Sequence, residues 1–298
     1  MSEIFTVLES VSFGYRYFEI AKILREARLI NAILTNGEVW YSLGSKDISD
    51  LQQVDYIMLR KVLAVPSSAC IESLYLELGL IPVSIVIKSR LVKYLHYLVN
   101  QKESSMLYKV FISQWKYPSK GDWVEEVKLN LKELGINLSL KEIKNKSKSS
   151  FKRLVKLKTR EYALEYLLSL KEKHSKLSGL HYGDLAMQQY LKDQKITVKD
   201  ARNIFRFGTR TAHFKDNMKS SYQENICPMC SDHPDTQSHS FECRITRESI
   251  NIECSYEDIF KKNITPILSK TLMQITNLRK NYILSPPGDP RASIDAAV

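Results

Sequence analysis

The residues with the clearest chemistry are Cys227, Cys230, His239 and Cys243, four metal-ligand side chains within seventeen residues of a chain with five cysteines in all. Their spacing is C-x2-C-x8-H-x3-C. A C-x2-C turn brings two thiolates to one side of a tight loop, the usual first half of a structural zinc site. His239 and Cys243 stand four residues apart, so on a helix they project from one face, one turn above the other. Thr236 is the expected N-cap of that short helix, with Pro234 and Asp235 in the turn before it. Four protein ligands close a tetrahedral shell, so the predicted ion is a structural Zn2+ and not a catalytic one. A disulfide reading is weaker, because no secretory signal is seen and cytosolic or nuclear thiols stay reduced. His233 and Cys254 are lesser alternatives: His233 follows Cys230 too closely to wrap around an ion, and Cys254 lies beyond the helix.

The elements that must position this cluster read as helices. At 298 residues and 44% hydrophobic content the chain can bury a core, as one large domain or two smaller ones. Tyr17 to about Thr35 carries Ile20, Leu24, Ala27 and Leu29 or Ile30 in a wide apolar stripe, which predicts burial on more than one side. A helix from about Asp47 to Leu63 is stopped by Pro66. Ser67 or Ser68 caps the next, and Gly79 fits its C′ position. A fourth follows Pro82, with Val83, Ile87, Leu91, Leu95 and Leu98 in register and His96 as a packing residue. Asp122 with Glu125 and Ser139 with Glu142 read as capping boxes, and Gly135 closes the first of those helices. Trp115 and Trp123 are expected to pack against each other's helices. Thr197 with Asp200 opens another helix, and Thr265-Pro266 opens one that runs to about Tyr282. The Pro-rich end, SPPGDPRASIDAAV, is expected to be disordered. No period-two pattern competes, so the fold class is mainly α, a multi-helix array with a small CCHC zinc knuckle near the C-terminus.

Charge is concentrated. The chain carries a formal +11 with a pI near 9.2, which favours an anionic partner such as nucleic acid or a membrane surface. Residues 141–176 hold twelve Lys or Arg against four Asp or Glu. Lys148, Lys152, Lys156 and Arg160 recur every four residues as a basic ridge that could track a phosphate backbone, although most such runs are solvated faces. Arg202, Arg206 and Arg210 repeat the spacing on the Thr197 helix and are the second candidate set for nucleic acid. Arg244 and Arg247 can instead neutralise the net −1 that three thiolates leave on a divalent ion. The N-terminus shows no basic segment followed by an apolar one, and no apolar run approaches the ~20 residues of a membrane span. An intracellular protein of nucleus or cytoplasm, neither secreted nor membrane-bound, is expected.

Four phrases carry a family likeness: VSFGYRYFEIAKILREARLINAILTNGEVWY, LRKVLAVPSSACIESLYLELGLIPVSIVIKSRLVKYLHYL, GDWVEEVKLNLKELGI and CPMCSDHPDTQSHSFEC. Together they span about Val11 to Arg279, and the last is the most specific. The chain resembles the C-terminal part of reverse transcriptases from non-LTR (LINE-like) retrotransposons of animals, the region that follows the polymerase palm. The resemblance implies a thumb-like helical region over 1–135, a basic helical region over 136–220, a CCHC zinc-binding module over 221–262, and a terminal helix and tail over 263–298. It also implies that the zinc segment helps hold template RNA or target DNA. The ligand spacing differs from the retroviral C-x2-C-x4-H-x4-C knuckle.

Polymerisation needs palm carboxylates that hold two divalent metals, and the family marks them with an aromatic-x-Asp-Asp turn; this chain has no Asp-Asp pair. Walker A, H-E-x-x-H and G-x-S-x-G patterns are also missing. The 55 residues that follow Cys243 hold no paired acid and E-x-K arrangement of the nuclease that some related elements place there. The expectation is a piece of such an enzyme, a truncated copy or a derived host gene, without enzymatic activity of its own and without a small-molecule substrate. Two functions follow: a zinc-stabilised nucleic-acid-binding module, or a helical interaction module that acts with a catalytic palm domain in cis or in trans.

Overall fold

The computed structural model describes residues 6–8, 14–217, 225–261 and 266–284. Among the described residues the chain is mainly helical, with isolated bridges in place of strands. Thr265 and the tail from 285 onward, for which a cap and disorder are expected, lie outside the described residues.

Helix α1 (Tyr17–Leu24) runs into a π-helical turn (Arg25–Ile30) and one further turn (Asn31–Ile33). The wider π turn shifts the buried stripe to Phe18, Ala21, Arg25, Leu29 and Leu34, so Ala27 faces solvent instead of the core. Arg25 thereby enters the interior. It donates to both Asp55 oxygens at 2.7 and 2.5 Å and to the Ile81 carbonyl at 3.0 Å, and the Tyr75 hydroxyl donates to Asp55 at 2.8 Å.

Helix α2 (Ser45–Leu63) starts where Asp47 accepts the Gly44 N–H at 2.9 Å. It ends on Ala64 in the left-handed region (φ 52°), before Pro66 is reached. Cys70, not Ser67 or Ser68, holds the N-cap position of α3 (Ile71–Leu78); both serines sit in the turn before it. Gly79 closes α3 at φ 61°, as its type predicts. The segment around Met187 lies directly against it: a Cβ on Gly79 would stand 2.3 Å from the Met187 nitrogen.

Helices α4 (Val83–Val99), α5 (Met106–Lys116), α6 (Trp123–Glu133) and α7 (Leu140–Asn145) enclose an apolar cluster around Leu91, Leu95, Val127 and Ile143. The Ser139–Glu142 box forms in both directions. Asp122 caps α6, while Glu125 reaches the Gly121 N–H one residue further out. Trp115 meets Lys128 of α6, 4.8 Å above its ring, as a contact with that helix requires. Trp123 turns elsewhere, donating to the Glu38 carbonyl at 3.0 Å and meeting Tyr94 edge-on.

Helix α8 (Lys148–Lys171) joins the two halves of the interior. Phe151 and Val155 belong to the cluster just described, whereas Ala163 and Leu167 pack into a second one. That second core contains α1, α2, α3, α9 (Val198–Gly208) and the last helix, α12 (Pro266–Leu284). The two apolar clusters are therefore joined through one helix. His96, 9% exposed, stacks on Phe151 and sits 2.9 Å from the Lys146 carbonyl, a packing residue as expected.

Candidate metal centre and cationic face

The cluster is assembled by short-range hydrogen bonds. An antiparallel bridge between Ile226 and Pro234 closes the loop, and the Cys227 N–H donates to the His233 carbonyl at 2.8 Å. The Ser231 N–H donates back to the Cys227 carbonyl at 3.0 Å, with Ser231 at φ 59°. Thr236 Oγ1 accepts the His239 N–H at 3.0 Å, the cap its type predicts. The single turn α10 (His239–Glu242) then brings the Cys243 N–H to the His239 carbonyl at 2.7 Å. Cys243 is the junction with α11 (Arg244–Ser249), at the end of the turn and not within a longer helix.

The Sγ atoms of Cys227, Cys230 and Cys243 and a ring nitrogen of His239 all lie within 4.8 Å of one another. Cys230 Sγ and His239 Nε2 are 3.3 Å apart. A tetrahedral ion with bonds of about 2.1 to 2.3 Å needs its ligands about 3.5 to 3.8 Å apart, so the four donors fit one ion after small adjustments. This cluster could hold a metal ion.

Its electrostatics are divided among the ligands. Burial pushes the Cys227 thiol up to about 11. Burial acts on Cys230 in the same direction, but the backbone groups of Asp232 and His233 hold that thiol below its ordinary value. Burial, followed by the neighbouring His233, lowers His239 and favours the neutral imidazole that a metal requires. His233 stacks on His239 with centroids 5.0 Å apart, and Cys254 lies apart from the ligand group.

Asp235, expected only as a turn residue, anchors the cluster to the fold. Arg279 of α12 donates to both its oxygens at 2.7 and 2.9 Å, and the Lys215 N–H donates to it at 2.9 Å. The Arg279 guanidinium also lies 4.0 Å from the Phe214 ring. Leu278 and Tyr282 of α12 pack against Cys227, Met229 and Cys243. Arg247 donates to the Phe241 carbonyl at 3.1 Å, and Arg244 is solvent-exposed beside Glu248.

The two basic sets behave differently. On α8 the buried stripe Phe151, Val155, Thr159 and Ala163 repeats every four residues. Lys152, Lys156 and Arg160 each follow one of these by a single residue, so the ridge runs along the flank of the packed face. Helix α8 packs on α4, and the charges of that flank act on Lys93 of α4 and on Lys22 of α1, whose Nζ also donates to the Gly79 carbonyl at 3.0 Å. Burial, followed by the fields of Arg90, Lys152 and Lys156, lowers Lys93. Burial lowers Lys22; Glu26 opposes it as the next influence, and Arg160, Arg25 and Lys156 add smaller lowering contributions. Lysines of three helices thus share one positive field, with α4 packed on α8 at its centre. Among the described residues no salt bridge joins Lys93, Lys148, Lys152 or Lys156 to a carboxylate. Arg160 is half-buried and donates to the Leu185 carbonyl.

Arg202, Arg206 and Arg210 do not form a comparable ridge. Arg202 donates to the Val62 carbonyl at 3.0 Å and to the Tyr17 hydroxyl at 2.9 Å. Arg206 donates to the Ala64 carbonyl at 3.0 Å. Both satisfy the open end of α2, where the last carbonyls lack helical partners. Helix α9 stops at Gly208, so Arg210 lies past it at φ 52° and hydrogen-bonds Tyr256. No family model, curated protein or solved structure matches this chain.

Proposed function

We propose that this chain is a zinc-stabilised helical module that binds nucleic acid, RNA or DNA, through the face built by α1, α4 and α8. The observation that carries the reading is the convergence of Lys22, Lys93, Lys152 and Lys156. Like charges brought together at a partly buried surface raise the energy of the free protein, and a polyanion relieves that repulsion. Cys227, Cys230, His239 and Cys243 hold Zn2+, whose role is to close the C-terminal lobe against α12, since all four positions are protein ligands and no site is left for a reacting group. The likeness to post-palm regions of non-LTR reverse transcriptases supports the same assignment, and the lack of palm carboxylates argues that the chain does not polymerise DNA alone.

Fluorescence anisotropy with single- and double-stranded RNA and DNA over a salt series tests this. The expected result is an affinity that falls steeply with salt, each phosphate contact contributing a slope of about −0.9 on duplex DNA. Affinity that stays flat from low to moderate salt would refute the reading. The interaction module remains as a second reading because α5 exposes Met106, Leu107 and Val110. Co-purification with a palm-containing protein, with no nucleic acid bound, would favour it.

A further inference from the structure

A second cluster of metal-type ligands lies outside everything described so far. Cys70 is the residue before α3, Glu72 is in its first turn, and His174 follows the end of α8. Cys70 Sγ donates to Glu72 Oε2 at 2.8 Å, and His174 Nε2 stands 3.5 Å from the same oxygen. A sulfur, a carboxylate oxygen and a ring nitrogen thus lie within 4.8 Å of one another, contributed by two chain segments about a hundred residues apart.

Glu72 carries the argument. Its side chain is only 15% exposed, yet among the described residues no Lys or Arg pairs with it. Its partners are a thiol and an imidazole. A carboxylate removed from water needs a compensating positive charge or full hydrogen bonding. The two neighbours that take the place of a cation are both metal ligands.

We propose that Cys70, Glu72 and His174 form a second site for a divalent ion of the zinc class, with the fourth position left to water. The Glu72–His174 separation already matches the roughly 3.3 to 3.6 Å between ligands of a tetrahedral ion. The Cys70–Glu72 pair is closer because a proton bridges it; the ion takes the place of that proton, and the pair opens by several tenths of an ångström. Binding therefore releases the Cys70 Sγ proton to solvent and forms one metal–sulfur, one metal–oxygen and one metal–nitrogen bond. Burial, followed by the bond to Glu72, pushes the free thiol up to about 12, so the metal must displace a firmly held proton. The bound ion ties the end of α8 to the start of α3. An open coordination position distinguishes it from the closed CCHC site.

Equilibrium dialysis of the full chain against Zn2+, followed by metal analysis, tests the site. His174 is 46% exposed, so His174→Ala leaves the fold intact. The expected result is one equivalent less zinc in His174→Ala than in wild type, and the same loss in Cys70→Ser. Cys227→Ser reports separately on the CCHC cluster, so the two sites succeed or fail independently. Equal zinc content in wild type and His174→Ala overturns the proposal.

Discussion

Single residues carry two of the consequences. Glu77 is fully buried and accepts from the Tyr182 and Tyr190 hydroxyls at 2.5 and 2.7 Å, but burial outweighs these donors and raises its carboxyl above the ordinary 4.5. The folded state then binds this proton more tightly than the unfolded chain. The stabilisation is complete below about 4.5 and is lost as pH rises through the raised folded value. In Glu77→Gln the melting temperature is expected to lose this fall above pH 4.5; parallel profiles for the two proteins would contradict it. At the Cys/His cluster, Cys227→Ser removes a buried thiol from the proposed zinc shell. It is expected to abolish the zinc equivalent proposed for this cluster and expose the C-terminal lobe to limited proteolysis, because ligand binding and local folding are one equilibrium. Full zinc content in that variant would count against the assignment.

At the level of elements, termination decides more than periodicity does. Gly79 is needed twice over, for its left-handed backbone and for the approach of Met187. Gly79→Ala is expected to destabilise the fold by more than about 3 kcal/mol, the left-handed penalty adding to a backbone displacement, as read by chemical denaturation. A cost below 1 kcal/mol would mean that the 186–188 segment yields freely. The C-terminus of α2 lacks a glycine, and Ala64, Arg202 and Arg206 close it instead. Arg206→Ala is expected to cost about 1.5 to 3 kcal/mol of stability through the lost charged hydrogen bonds. It should leave the salt dependence of the proposed nucleic-acid binding unchanged. A weakened salt slope would return Arg206 to the binding surface.

The whole molecule decides where the charge acts. Lys93 is separated from Lys152 by α5, α6 and α7 along the chain, and the packing of α4 on α8 brings their fields together. Lys152→Ala and Lys93→Ala are each expected to reduce the magnitude of the salt slope by about one contact, uniformly across nucleic-acid sequences. A change for Lys152→Ala with none for Lys93→Ala would confine the interface to α8. The buried Arg25–Asp55 and Arg279–Asp235 pairs hold the arrangement at its two ends. Removing one partner of such a pair typically costs about 3 to 5 kcal/mol, because the other is left charged and buried.

What the residue order determined by itself is local. The pairing of Cys227 with Cys230 and of His239 with Cys243, the Thr236, Thr197 and Ser139 caps, the Gly79 stop and the helical fold class depend on hydrogen bonds and periodicities that reach three or four residues. Tertiary structure decided everything that depends on how helices cross. It turned Arg202 and Arg206 from a basic ridge into a helix closure, and it joined Asp235 to Arg279. It also added Lys22 and Lys93 to the α8 face and set His174 beside Glu72. The physical reason is range: a cap is satisfied within one turn, whereas the surroundings of a charge depend on every element packed around it.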